Sequence, residues 1–314
     1  MHNNQLLSVE KPVRYLGGEM GTSRKKSADL SFILAFPDVY EVGMSHLGSQ
    51  ILYAILNGVE WIAAERLYSP WPDMEDLLRA TGGLLTTLES GRPAADADIL
   101  GFTLQYELSY TNIINILELS GIPPLAAERG DVFPLILGGG PCAFNPEPLA
   151  NFFDAFLLGD GEEAVLEIAA ACRVWKKTGR PKSELLELLA AIEGVYIPSL
   201  FSVRYDPAGR ISGILPLKEG YPKVRRRFVA DLSAAPYPDS PIIPFLKTVH
   251  DRVSMEIARG CTRGCRFCQA GYIYRPVRER SPERLMELIE QTLKSISTLI
   301  EERTEKRSLP RHSS

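Results

Sequence analysis

Leu30-Ser-Phe-Ile-Leu-Ala-Phe36 is an apolar run stopped by Pro37, which is how a buried strand reads, and the pattern that follows it decides the architecture. Leu47 to Leu56 has helical spacing, Trp61 to Leu67 reads as a second strand, and Asp73 to Ala80 as another helix. Asp98-Ile-Leu-Gly-Phe-Thr-Leu104 is the next strand, Tyr110 to Leu119 a helix, and Phe133-Pro-Leu-Ile-Leu137 and Ala155-Phe-Leu-Leu158 two further strands. Strands alternating with helices predict an α/β fold with a doubly wound parallel sheet covered on both faces. Ligands in such sheets sit beyond the carboxyl ends of the strands, so the loops there are the informative places.

Three of those loops stand out. Gly138-Gly-Gly-Pro-Cys-Ala-Phe-Asn-Pro-Glu147 follows a strand directly, and bare Cα atoms there let a ligand or another backbone come close. Gly159-Asp-Gly-Glu-Glu163 follows the next strand and opens a helix, whose N-terminal N–H groups carry partial positive charge. Pro37-Asp-Val-Tyr-Glu-Val-Gly-Met-Ser-His46 separates the first strand from its helix. None has the G-x-G-x-x-G or P-loop spacing, so an ordinary nucleotide site is not supported, and a tight turn in a Rossmann-like sheet explains each loop taken singly.

At 314 residues the chain is long enough for two domains, and its net charge of -4 makes no general case for polyanion binding. Met1-His-Asn-Asn-Gln-Leu-Leu7 lacks a basic and apolar leader, and no apolar run is long enough to span a bilayer, so the expectation is a cytoplasmic protein with no membrane partner. Cys172 shares an apolar helical stripe with Val165, Ile168, Ala169 and Trp175 and reads as core. Cys142, in the glycine-rich loop, carries no assignment.

After a second helix, capped by Ser183, the chain reads as a hairpin of Phe201 to Tyr205 and Arg210 to Ile214 about an Asp206-Pro-Ala-Gly209 turn. A connector with Pro236, Pro238, Pro241 and Pro244 follows; its Lys223-Val-Arg-Arg-Arg227 run reads as a solvated linker face or a nucleic-acid patch. Then comes Glu256-Ile-Ala-Arg-Gly-Cys261-Thr-Arg-Gly-Cys265-Arg-Phe-Cys268, led by the apolar run Val253 to Ala258, which predicts a strand feeding a metal-binding loop. Four cysteines would close a zinc site or saturate an iron–sulfur cluster; three on a [4Fe-4S] cube leave one iron open. A disulfide is disfavoured in a reducing compartment, and no paired cysteine or histidine follows to complete a zinc site. Ser281-Pro282-Glu283 then starts a helix with Leu285, Leu288, Ile289, Leu293 and Ile296 on its apolar face.

The C-x3-C-x2-C spacing with Phe267 before the last cysteine resembles the signature of radical S-adenosylmethionine (SAM) enzymes. The resemblance implies that Cys261, Cys265 and Cys268 hold a [4Fe-4S] cluster whose open iron takes the amine and carboxylate of SAM. It also places Phe267 near the adenine. Reductive cleavage of SAM would yield a 5′-deoxyadenosyl radical, with flavodoxin or ferredoxin as reductant and a substrate that the sequence does not identify. The paired glycine loops resemble the cobalamin-binding domain that precedes the radical core in one large branch of these enzymes, and Phe36 to Gly48 and Gly101 to Asn112 look like an uncharacterised subfamily of that branch. On that resemblance Gly138, Gly139, Gly159, Gly161 and Glu162 lie against the corrin, and cobalamin would carry a methyl group to substrate. The cobalt-ligating pattern Asp-x-His-x-x-Gly is not met at His46, which has Met44 and Ser49 at those positions. Two readings stay open: cobalamin bound without a protein histidine, or a domain that keeps the fold without the ligand.

The expected organisation is an N-terminal segment (1–29), a cobalamin-binding-like Rossmann domain (30–200), a hairpin and proline-rich connector (201–250), the first βα unit of a partial (β/α)6 barrel (251–300), and an aberrant or disordered tail (301–314). Such a barrel needs on the order of 200 residues after its first strand, at roughly 30 per unit, and the Gly-Gly-Glu expected after its second strand is absent. The expectation is therefore a truncated chain or fragment, either a radical SAM enzyme in part or a non-catalytic cobalamin- or protein-binding module.

Overall fold

The computed structural model describes residues 6–131, 134–217, 223–250 and 252–308, apart from the side chains of 302–308. Its centre is a six-stranded sheet of β1 (Leu30–Phe36), β2 (Ile62–Tyr68), β3 (Ile99–Thr103), β4 (Leu135–Gly139), β5 (Ala155–Leu157) and β6 (Val195–Tyr196). The spatial order is β2-β1-β3-β4-β5-β6, with Phe32 opposite Ile99 and Leu137 opposite Ala155. All pairs are parallel except the last, where β6 runs antiparallel to β5. This is a Rossmann-like, flavodoxin-type order, and its topological switch point lies between β1 and β3.

The helices divide between the two faces. On one side α1 (Leu47–Asn57) and, later in the chain, α4 (Ala164–Lys176) and α5 (Lys182–Ala190) bury Ile51, Leu56, Ile168 and Leu185 against Leu30 and Phe32. On the other, α2 (Pro72–Thr81) and α3 (Tyr110–Leu119) bury Met74, Leu78, Ile113 and Leu117 against Ile33 and Ala35. Neighbouring residues of β1 thus serve opposite faces, which is why that strand is apolar throughout rather than alternating.

The open edge at β2 is closed by charge. Arg66 reaches Glu19 at 2.8 Å and Glu89 at 2.6 Å, and the Tyr40 hydroxyl donates to Glu19 at 2.9 Å. Burial would raise Glu19, but the Arg66 charge and hydrogen bonds outweigh it and hold the carboxyl below its usual range. The network ties the N-terminal segment to the sheet.

Several local expectations shift. β4 begins at Leu135, because Pro134 has no N–H for the ladder; the expected start, Phe133, lies outside the described residues. α5 is capped not by Ser183 but from across the fold, by the Asp131 carboxylate accepting from the Lys182 N–H at 2.7 Å. The hairpin β7 (Phe201–Tyr205) and β8 (Ile211–Pro216) forms, with Asp206 accepting from the N–H groups of Ala208 and Arg210 at 2.9 Å each. The strand expected over Val253–Ala258 shrinks to β9 (Ala258–Arg259), antiparallel to β10 (Arg278–Glu279). Beyond the Arg280 N–H, which donates to the Ile257 carbonyl at 2.9 Å, no strand among the described residues pairs with 253–257, and Val253 and Ile257 are exposed. The last helix, α6 (Pro282–Ser308), is capped by Ser281, whose Oγ accepts from the Arg284 N–H at 3.1 Å. It extends into the segment read as a tail, of which 309–314 lie outside the described residues.

Candidate functional site

A cavity of ≈ 450 Å³ opens at the carboxyl end of the sheet, over the β1/β3 switch point. One wall is Rossmann-type: Leu34 of β1, Leu52 of α1, Thr103 at the end of β3 and Gln105 after it, Gly139 at the end of β4, and Gly161 and Glu162 after β5. The other wall comes from the distant segment that carries the cysteines: Glu256, Arg259, Gly260 and Tyr274.

Arginines join the two walls. Arg259 reaches Asp160 at 3.0 Å, Glu162 at 2.6 Å and Glu256 at 2.9 Å. Asp160 also pairs with Arg278 and accepts from the Val229 N–H at 2.9 Å. Burial pushes the Asp160 carboxyl up, but Arg278 and Arg259 outweigh it and leave it lowered, so it stays ionised. Glu162 is 4% exposed, and Arg259 is its ion-pair partner. The spacing of the β5 loop gave no hint of this lock, since its partners lie about a hundred residues away; the one local signal was two acids beside a helix start. Of the basic run in the connector, Arg227 pairs with Glu163 and Glu167 at 2.6 and 2.8 Å, and Arg226 donates to the carbonyls of Ile273 and Arg275.

The glycine positions separate by what fills the space beside each Cα. At Gly159, with φ +113, a Cβ would fall on the Arg227 carbonyl oxygen, and the two residues form a parallel β-bridge. At Gly138 it would meet the Phe156 ring at 2.7 Å, inside the sheet's own packing. At Gly161 it would meet Leu52 at 3.2 Å, and at Gly139 nothing lies within 4 Å. Gly139 therefore faces the cavity with room, Gly161 lies on its wall in close contact with Leu52, and Gly159 accommodates the returning chain.

His46 also lines the cavity, and it caps α1: its Nδ1 accepts from the Ser49 N–H at 3.1 Å. Burial lowers its pKa, against a hydrogen bond with Gln105, so the neutral ring prevails. Met44 is turned away, its sulfur accepting from Arg66 at 2.9 Å and from the Tyr68 hydroxyl at 3.1 Å. Cys172 is core, its thiol pushed up to about 12 by burial, and Cys142 is buried with a raised pKa for the same reason.

Cys261, Cys265 and Cys268 lie on the loop between β9 and β10, next to the locked Arg259. The loop folds on itself: Cys268 N–H donates to the Cys265 carbonyl at 3.1 Å, and Arg275 donates to the Arg263 carbonyl at 3.2 Å. A Cβ on Gly260, φ +114, would collide at 2.7 Å with the carbonyls of Tyr274 and Pro276, where the two ends of the loop pinch together. The three thiols are free of disulfides and at least partly accessible, which fits the donor set of a cluster. They do not converge: among the described residues no group of three or more His, Cys, Asp or Glu side chains is placed to hold a metal ion. Phe267 is 92% exposed, packed on neither the cavity nor the thiols.

No helix among the described residues is long and apolar enough to cross a membrane. Residues 48–198 match a family described as the N-terminal region of radical SAM proteins, from α1 through β6. An uncharacterized protein of Methanocaldococcus jannaschii is 28% identical over 198 residues, covering 63% of this chain. The chain spans about a third of that relative, 35% of its length. Radical SAM proteins in general use a [4Fe-4S] cluster and SAM, and the family match, over β2 to β6 of the six-stranded sheet, supports reading this chain as a radical SAM-related protein.

Proposed function

We propose that the chain belongs to an enzyme of the radical SAM type, in which Cys261, Cys265 and Cys268 bind a [4Fe-4S] cluster and SAM is cleaved reductively. The observation that carries the reading is the three-thiol C-x3-C-x2-C loop anchored, two residues before its first cysteine, to a sheet of the radical SAM N-terminal type. When bound, such a cluster supplies one electron to the SAM sulfonium, giving methionine and a 5′-deoxyadenosyl radical that abstracts hydrogen from substrate. The residues of the chain place and shield. Arg259 fixes the entry to the loop against Asp160 and Glu162, the pinch at Gly260 sets the loop ends, and the cysteines release protons as they become ligands. Phe267 would turn in against the adenine. A flavodoxin or ferredoxin would deliver the electron. The apolar cavity with Gly139 and Gly161 exposed on its wall suits the edge of a corrin, and cobalamin-dependent methyl transfer is the form of the activity it favours.

Anaerobic reconstitution with iron and sulfide should give about four of each per chain and a broad visible absorption that Cys265→Ala abolishes. Unchanged iron content in that variant would overturn the assignment. The unconverged thiols favour a second reading, a cobalamin- or protein-binding module without catalysis. A corrin band retained through gel filtration after incubation with hydroxocobalamin, together with no SAM cleavage, would select it.

A further inference from the structure

A second cavity, of ≈ 240 Å³, shares only Leu47 with the first and lies between the start of α1, the proline-rich connector and α6. One of its lining residues is Thr292, which is 2% exposed and whose Oγ1 has no hydrogen-bond partner. Helix serines and threonines ordinarily return the hydroxyl to the carbonyl four residues back. In this same helix Ser297 does so to Leu293 and Thr298 to Lys294, each at 3.1 Å. Thr292 departs from its neighbours, and a buried hydroxyl without a partner calls for a polar atom in the adjoining space.

The lining charge is of one sign. Arg252 and His250 stand at the cavity, 3.4 Å apart, and no aspartate or glutamate is among the described residues that line it. Among the described residues Arg252 forms no ion pair with a carboxylate. Much of the remaining wall is apolar, including Met44, Met255 and Ile296. The volume of ≈ 240 Å³ equals about eight waters at roughly 30 Å³ each, room for a short organic acid.

We propose that this cavity is a binding site for a small amphiphilic carboxylate. Arg252 and His250 receive the carboxylate, Thr292 donates its hydroxyl to the ligand's polar end, and the apolar wall takes a short hydrocarbon body. The site is separate from the cysteine loop and does not depend on a cluster.

The test uses hexanoate as probe, with hexan-1-ol and hexylammonium as controls of equal length, followed by methyl NMR of Ile296 and Met255. Hexanoate should shift these signals saturably, hexan-1-ol should bind about tenfold more weakly, a difference near 1.4 kcal/mol, and hexylammonium should not bind. Arg252→Gln should bring hexanoate down to the level of the alcohol. Thr292→Val, nearly isosteric, should weaken hexanoate severalfold without lowering the melting temperature, since it removes an unpaired hydroxyl. Equal response to all three probes, a response that never saturates, or wild-type binding by both variants would overturn the proposal.

Discussion

Replacing Arg259 with methionine keeps an unbranched apolar stem and removes a charge that three carboxylates share. The three do not lose equally. Asp160 keeps Arg278 and the Val229 N–H, and Glu256 keeps Arg280 at 3.3 Å. Glu162, 4% exposed, is left without its ion-pair partner. Breaking a buried pair by removing one member costs on the order of 3–5 kcal/mol. The Arg259 side chain retains 14% exposure, so about 3 kcal/mol is the expected loss. That loss falls on the docking of the C-terminal segment rather than on the sheet, and it corresponds to roughly a hundredfold shift in the docking equilibrium. Hydrogen exchange reads it directly. The N–H groups of Asp160 and Arg227, which bond the Arg227 and Leu158 carbonyls at 3.0 and 2.9 Å, should exchange about a hundredfold faster. Amides within β1, β3 and β4 should not change. Adding Glu162→Gln to the variant should recover most of the loss, because the stranded charge is gone. If exchange at Asp160 and Arg227 stays at the wild-type rate, or the second substitution recovers nothing, the lock does not hold the segment.

At the opposite edge, Arg66→Met strands Glu19 and Glu89 together and should lower stability in urea by about 3–5 kcal/mol, with Glu19→Gln partly restoring it. The acid limb follows from the lowered carboxyls of Asp160 and Glu19: their contribution is present above the ordinary carboxylate range near 4 and is lost as pH falls through the depressed folded values, so stability should decline below about pH 4 and decline less in Glu19→Gln. Thiol titration with a disulfide reagent should find Cys261, Cys265 and Cys268 reactive in the native protein and Cys142 and Cys172 only after unfolding; early modification of Cys172 would contradict its burial. Gly159→Ala should destabilise the apoprotein, by the collision with the Arg227 carbonyl and the positive φ. Gly139→Ala should leave apoprotein stability unchanged and act, where a ligand binds, only on its affinity.

Much of the sheet was legible because β1, β4 and β5 lie in short apolar runs ended by proline or glycine, whereas β2 carries the buried Glu65 and Arg66. Leu30–Phe36 and Tyr110–Leu119 fall where periodicity places them. What periodicity cannot carry is partnership. Val253–Ala258 has the composition of a strand, but a strand needs a neighbour to accept its N–H groups, and here only Ala258–Arg259 has one. Asp131 capping α5 and Arg259 locking Asp160 are equally invisible, since each joins residues far apart through side chains that on sequence alone read as ordinary surface charge. The cysteine spacing names a candidate donor set, but the orientation of the thiols is a property of the loop's environment and not of its spacing.

The β5 loop shows why a glycine pattern alone leaves its occupant undecided. A ligand face and a backbone both require a bare Cα at close approach, so strand–Gly-x-Gly–helix is written the same way for either. Here the two glycines of one loop divide the tasks: Gly159 admits the carbonyl of Arg227, and Gly161 lies beside Leu52 on the cavity wall. Between them Asp160 ties down the segment that the first glycine admits, and Glu162 grips Arg259, two residues before Cys261. A ligand settling against Gly161 would therefore touch the same short loop that holds the entry to the cysteines. Coupling between cavity and cysteine loop needs no longer path than that loop and one arginine.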